Sequence, residues 1–116
     1  MQTNSQASAA GSSMKSEDLK DNQFRTDTVP PGSAKLVGDA AVFNVEGRFC
    51  ATQAKCTHRG GPLSEGQLDG STVTCPWHGT QFNVTTGAVL RGPATEPIKI
   101  YRVIVEGEIG RVEKEK

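Results

Sequence analysis

The chain contains two histidines, and each lies within three residues of a cysteine. The segments read Cys56-Thr57-His58 and Cys75-Pro76-Trp77-His78, so two of the three cysteines are committed here as well. Thiolate sulfur and imidazole nitrogen are the donors that bind zinc, copper and iron. Three cysteines cannot all pair with one another. In a reducing compartment, cysteine beside histidine signals metal binding or catalysis more often than a disulfide. Both segments resist regular structure, with Gly60, Gly61, Pro62 and Gly66 after Cys56, and Pro76 and Gly79 around the second pair. Loops of this kind let side chains and backbone amides converge on one object.

Two sulfurs and two nitrogens suit either a structural zinc ion or a binuclear iron–sulfur cluster. Zinc sites commonly pair like with like, two cysteines and then two histidines. Here each loop mixes the types, and the single residue between Cys56 and His58 gives a tight bite for one tetrahedral ion. A binuclear cluster removes that difficulty, because the two ligands of a loop need not share a metal. Four unligated core residues are the remaining reading.

The order Cys-x-His, sixteen residues, Cys-x-x-His, set in CTHRGGPL and CPWHG and followed by Phe82 and the Thr86-Gly87 turn, resembles the Rieske iron–sulfur family. The resemblance covers the chain from about Phe24 onward. It implies one [2Fe–2S] cluster per chain, with Cys56 and Cys75 on a buried iron and His58 and His78 on an outer one. It also implies an all-β fold, a Rieske-type antiparallel β sandwich of three small sheets, with a cluster-binding subdomain of two loops at about residues 54–83. With two thiolates the oxidised cluster is net neutral, so an added electron meets less repulsion than in a four-cysteine cluster. The potential rises accordingly, to about −150 to +300 mV against about −400 mV for plant-type ferredoxins. High-potential members of the family carry an extra cysteine in each loop, forming a disulfide; those positions here are Gly61 and Trp77. They also carry a Ser and a Tyr whose hydroxyls donate to sulfur, where this chain has Thr80 and Phe82. Lacking the bridge and at least one donor, the chain is expected at the low-potential end.

The elements that must position these loops are short and β-rich. Turn signals recur at Pro30-Pro31-Gly32, Gly38-Asp39, Glu46-Gly47, Asp69-Gly70, Thr86-Gly87, Gly92-Pro93 and Glu106-Gly107. Between them lie AVFNV (41–45), RFCAT (48–52), STVT (71–74), QFNV (81–84), AVL (88–90) and IKIYRVIV (98–105). The first two flank Glu46-Gly47 as a tight hairpin. The last loses its alternation near Tyr101, which predicts a bulge or burial on both faces. No segment shows a useful helical period, so the pattern alone predicts an all-β sandwich or barrel-like fold. Residues 1–23 carry too little apolar content to order and are expected to form a disordered extension to a 24–116 domain. The hydrophobic fraction of 34% makes the core modest, and a chain of this size often needs a staple such as a metal.

Thirteen basic and thirteen acidic residues cancel, giving no field that favours nucleic acid or an acidic membrane. No apolar run approaches the roughly 20 residues of a membrane span, and no secretory leader is read, so the cytoplasm is expected. The resemblance then implies a one-electron carrier, a ferredoxin fed by a flavin-dependent reductase and serving a terminal oxygenase or similar acceptor. An oxygenase in its own right would need a second, mononuclear iron held by two further histidines and a carboxylate, and both histidines are already committed. The chain is therefore read as a component of a multicomponent dioxygenase system and not itself an enzyme. The competing role is the small subunit of a larger reductase, such as assimilatory nitrite reductase. Cys50 reads as a small core residue, Trp77 as a shield or partner surface, Arg59 as a loop cation, and the RVEKEK ending as a solvated tail.

Overall fold

The computed structural model describes residues 19–57, 60–77 and 79–114. Among these residues ten strands run in chain order: β1 Gln23–Arg25, β2 Ala34–Val37, β3 Ala40–Val45, β4 Arg48–Gln53, β5 Gln67–Asp69, β6 Thr72–Thr74, β7 Gln81–Asn83, β8 Val89–Arg91, β9 Ile100–Glu106 and β10 Ile109–Glu113. Two 3-10 turns, Thr26–Thr28 and Leu63–Glu65, join them. One sheet has the order β1-β10-β9-β4-β3-β2 and the other β5-β6-β7-β8, and the pairing is antiparallel throughout.

The larger sheet is two smaller ones sharing a strand. Ile100 and Tyr101 of β9 pair with Thr52 and Ala51 of β4, whereas Arg102 through Glu106 pair with β10. This handover at Tyr101 accounts for the slipped alternation of IKIYRVIV: the strand changes partner there. With β5–β8 this makes the three small antiparallel sheets of the expected all-β sandwich.

Strand β3 joins the layers. Its residues Ala40 to Asn44 are all buried, so it presents apolar side chains to both faces. Ala41 and Phe43 enter a core with Leu63, Val73, Phe82, Cys56 and Cys75. Ala40 and Val42 enter a second core with Phe24, Val29, Ala51 and Val112. The β3–β4 hairpin forms at Glu46-Gly47 as expected, with Glu46 at φ 54°. Buried Asn44 reinforces it: its Nδ2 donates to the Val29 carbonyl at 2.8 Å, and its Oδ1 accepts from the Gly47 amide at 2.7 Å. Both ends of this amide are therefore satisfied, as burial requires.

One expectation is corrected. The RVEKEK ending is not simply a solvated tail, because Arg111, Val112 and Glu113 belong to β10 and pair with β9. Val112 is buried in the second core, while Arg111 and Glu113 flank it as an ion pair at 2.9 Å. Within RVEKEK a single apolar residue stands between two charges, too weak a period to stand out against a charged composition. β1, β2 and β5, reading QFR, AKLV and QLD, were likewise not marked by the pattern, since their apolar residues are few and mixed with charges and amides.

The layering predicts a sharp contrast between two substitutions. Phe43→Ala should cost about 3–5 kcal/mol of unfolding free energy, since the ring is fully buried. Leu36→Ala, at a residue 56% exposed, should stay within about 0.5 kcal/mol. Denaturant unfolding of the two variants checks this.

Candidate metal centre

The two cysteine loops prove to be built on one plan. Each runs six residues, Cys56 to Gly61 and Cys75 to Thr80, above an antiparallel pair, Lys55↔Pro62 in the first and Thr74↔Gln81 in the second. The Cys56 amide donates to the Gly61 carbonyl at 2.8 Å, and the Gly60 amide donates to the Cys56 carbonyl at 2.9 Å. In the second loop Cys75 donates to Thr80 at 2.8 Å, and Gly79 donates to Cys75 at 3.1 Å. The fifth residue of each loop is a glycine at positive φ, 76° for Gly60 and 79° for Gly79. That left-handed turn, costly for a side chain bearing a Cβ, sends the chain back to its starting strand.

Aligned this way, His58 is third in its loop and His78 fourth. The unequal spacings Cys-x-His and Cys-x-x-His are thus two different positions of one loop type. Both histidines, with Arg59, lie outside the described residues.

The cysteines are 4% and 3% exposed and share one apolar core, and no disulfide is formed. Gly61 brings the loops into contact. A Cβ placed there would lie 2.7 Å from Cys75 Sγ and 3.1 Å from Trp77 Cγ. The first loop's last residue therefore abuts the second loop's sulfur, so closely that a Cβ there would force the Cys75 or Trp77 side chain to shift. The positions where high-potential members carry their bridging cysteines, Gly61 and Trp77, are in fact neighbours. Trp77 covers Gly61 with part of its ring yet is 56% exposed, so it both shields and presents surface. Phe82, fully buried in the cysteine core, brings no hydroxyl to the site. Among the described residues no three Cys, His, Asp or Glu side chains gather as a metal-ion site. Cys56 and Cys75 supply half of the expected set. Buried thiols in twinned frames, with a cradle that a Cβ would fill, fit a bulky sulfur-liganded group.

Cys50 stands apart from this pair. It lies within β4, opposite Phe43, and packs half-buried against the edge of the same core. Burial pushes its thiol up, against a weaker opposing pull from Arg48. This suits an inert core residue, as read from the sequence.

The sequence reading overlooked a third segment. After β8 the chain crosses both loops: the Ala94 amide donates to Thr80 Oγ1 at 3.1 Å, and Thr57 Oγ1 donates to the Glu96 carbonyl at 2.7 Å. Gly92-Pro93 was the only sign of it, and a turn signal says nothing of what the turn touches.

Comparison with known proteins agrees with this geometry. Residues 12–102 match the Rieske [2Fe–2S] domain model, and the chain belongs to that family. It is 50% identical over 86 residues to the biphenyl dioxygenase ferredoxin subunit of Pseudomonas sp. (strain KKS102), covering 70% of this chain and 79% of that one. Among solved structures it resembles the Sphingomonas yanoikuyae B1 ferredoxin, with a TM-score of 0.75 and 31% identity, over 81% of this chain and 97% of that one. It also resembles the ferredoxin in a complex of reduced oxygenase and oxidised ferredoxin in carbazole 1,9a-dioxygenase, with a TM-score of 0.73 and 34% identity, over 84% of this chain and 99% of that one.

The contact at Gly61 predicts that Gly61→Ala lowers the iron content per chain of the purified protein by severalfold. Gly70→Ala, where a Cβ meets nothing within 4 Å but the backbone stands at φ 61°, should lower the unfolding midpoint while leaving the iron content unchanged. Iron analysis alongside the unfolding midpoint separates loss of the site from loss of the fold.

Proposed function

We propose that the chain is a one-electron carrier holding one [2Fe–2S] cluster on Cys56, His58, Cys75 and His78. The observation that carries this is the pair of matched loops, each presenting a buried cysteine, with Gly61 set against the sulfur of Cys75. The cluster, when bound, supplies the site that takes up and gives back a single electron. The protein's part is to hold the thiols away from water, and to place the two imidazoles by the turn at Gly60 and Gly79.

The carrier takes its electron from a flavin-dependent reductase and delivers it to a terminal oxygenase. Support comes from the ferredoxin relatives, named for dioxygenase systems, and from the likeness to a ferredoxin solved in complex with an oxygenase. These relatives favour the carrier role over that of a nitrite reductase subunit. Among the described residues no helix is long and apolar enough to cross a membrane, in keeping with action in the cytoplasm. The working unit on this reading is residues 24–116, with the loops and strands from about 54 to 83 as its cluster-binding part and residues 1–23 as an extension whose last residue, Gln23, already pairs with Arg111 in β10.

The lack of a bridge between positions 61 and 77 and of a hydroxyl at Phe82 supports a potential at the low end of the Rieske range, about −150 mV. Aerobically purified protein should be coloured, bleach partly with dithionite, and then show one unpaired spin per chain by EPR, with a negative midpoint in a redox titration. A colourless protein that holds zinc and no iron would overturn the carrier reading; a clearly positive midpoint would overturn the assignment to the low-potential end.

A further inference from the structure

The two cysteine loops leave their sheets differently. In the second, Thr74↔Gln81 is a regular pair directly below Cys75, so β6 and β7 carry the loop on their own ladder. In the first, β4 ends at Gln53, and Ala54 and Lys55 intervene before Cys56. Something beyond the β4 ladder must hold this stem.

Gln53 stands at that exit. It pairs with Ala40 of β3 on one side, and on the other its amide donates to the Lys99 carbonyl at 3.0 Å. A regular antiparallel pair would return a bond from the Lys99 amide to the Gln53 carbonyl. Here the Lys99 amide donates to Gln53 Oε1 instead, at 2.8 Å. The Gln53 carbonyl accepts the hydroxyl of buried Thr52 at 2.8 Å. The side chain thus stands in for the main chain at the point where the main chain turns away.

The other end of the same side chain reaches the stem. Gln53 Nε2 donates to the Lys55 carbonyl at 2.7 Å, one residue before Cys56. In the Lys55↔Pro62 pair the bonds run through the flanking residues, from the Cys56 amide to Gly61 and from the Leu63 amide to Ala54. Lys55 therefore points its own carbonyl out of the loop frame, where it needs an outside donor. One amide group accepts from the segment leading into β9 and donates to the stem. Glutamine suits both tasks; glutamate offers no donor, and methionine of similar length has only a weak acceptor.

We infer that Gln53 is a positioning residue: its amide sets where the first loop leaves the sheet, and so holds Cys56 in register with the second loop. The inference rests on the carrier reading above. Gly61, at the far end of the same frame, meets Cys75 with no room to spare, so a shift of the stem is felt at that contact. Both ties are open to solvent, and water's competition limits each to the weight of one ordinary hydrogen bond.

The test uses the full, iron-loaded chain. Gln53→Glu keeps an acceptor for Lys99 and sets a carboxylate oxygen against the Lys55 carbonyl. Gln53→Met removes both ties and adds no charge. Gln53 is only half-buried, so neither substitution opens a cavity in the core. Asn22→Asp is the matched control: Asn22 Nδ2 donates to the Val112 carbonyl at 3.0 Å, outside the cysteine loops, so this variant loses the same kind of bond and gains the same charge. The readouts are the EPR line shape of the reduced protein, the rate at which a ferrous chelator bleaches it, and the unfolding midpoint. Both Gln53 variants should show an altered line shape and lose iron about fivefold faster, the factor for one ordinary hydrogen bond. Asn22→Asp should lower the midpoint, keep the wild-type line shape and stay within about twofold in iron loss. A line shape altered in Gln53→Glu alone would trace to its charge and overturn the inference. So would wild-type line shapes and rates in both Gln53 variants, or equal acceleration by Asn22→Asp, which would mark a general loss of stability. A wild-type chain that binds no iron would instead overturn the cluster reading and this inference with it.

Discussion

The approach of Gly61 to Cys75 is the constraint on which the rest of the site depends. Two loops from different parts of the chain must meet with a sulfur from one against the backbone of the other, and a Cβ at residue 61 would stand 2.7 Å from that sulfur. Neither loop can do this if its backbone wanders. Each is therefore closed twice, once by the cysteine amide reaching forward five residues and once by the glycine amide reaching back four. These bonds satisfy backbone groups that burial would otherwise leave costly. They also hold the cysteine side chains in an apolar core, where thiols are protected from solvent.

The sheets serve this constraint in a simple way. The four-stranded sheet carries the second loop between β6 and β7, and the first loop rises from the end of β4. β4 belongs to the six-stranded sheet, so the two loops are presented by different layers. β3, buried on both faces, fixes one layer against the other through Phe43 and Leu63 on one side and Val42 and Ala51 on the other. A modest core is enough because it is divided into two small clusters that share this strand.

Much of the site was readable before any coordinates, because its chemistry lies in rare residues. Two histidines and two cysteines in mirrored loops stand out in any composition, and Gly60, Gly61 and Gly79 marked where the backbone had to turn or come close. Trp77 resisted a single reading for a physical reason: one side of its ring packs on Gly61 while most of it faces solvent. The fold was readable where apolar runs were long, at β3, β4 and β9. It was not at β1, β5 and β10, whose few apolar residues sit among charges and amides, and β1 forms only by pairing with β10 far along the chain. The equivalence of the loops was hidden by the unequal Cys–His spacings and became visible only through the hydrogen bonds. The segment that crosses both loops after β8 was invisible for the same reason, since its ties join ordinary threonines to backbone atoms.

The claim tested most directly is that both imidazoles complete the cluster begun by Cys56 and Cys75. Because the chain has only two histidines, labelling them with nitrogen-15 leaves no ambiguity of assignment. Pulsed EPR of the reduced, labelled protein should reveal two inequivalent nitrogens strongly coupled to the iron spin, with one coupling lost in each single histidine variant that still holds iron. A cluster signal without any histidine nitrogen coupling would contradict the account.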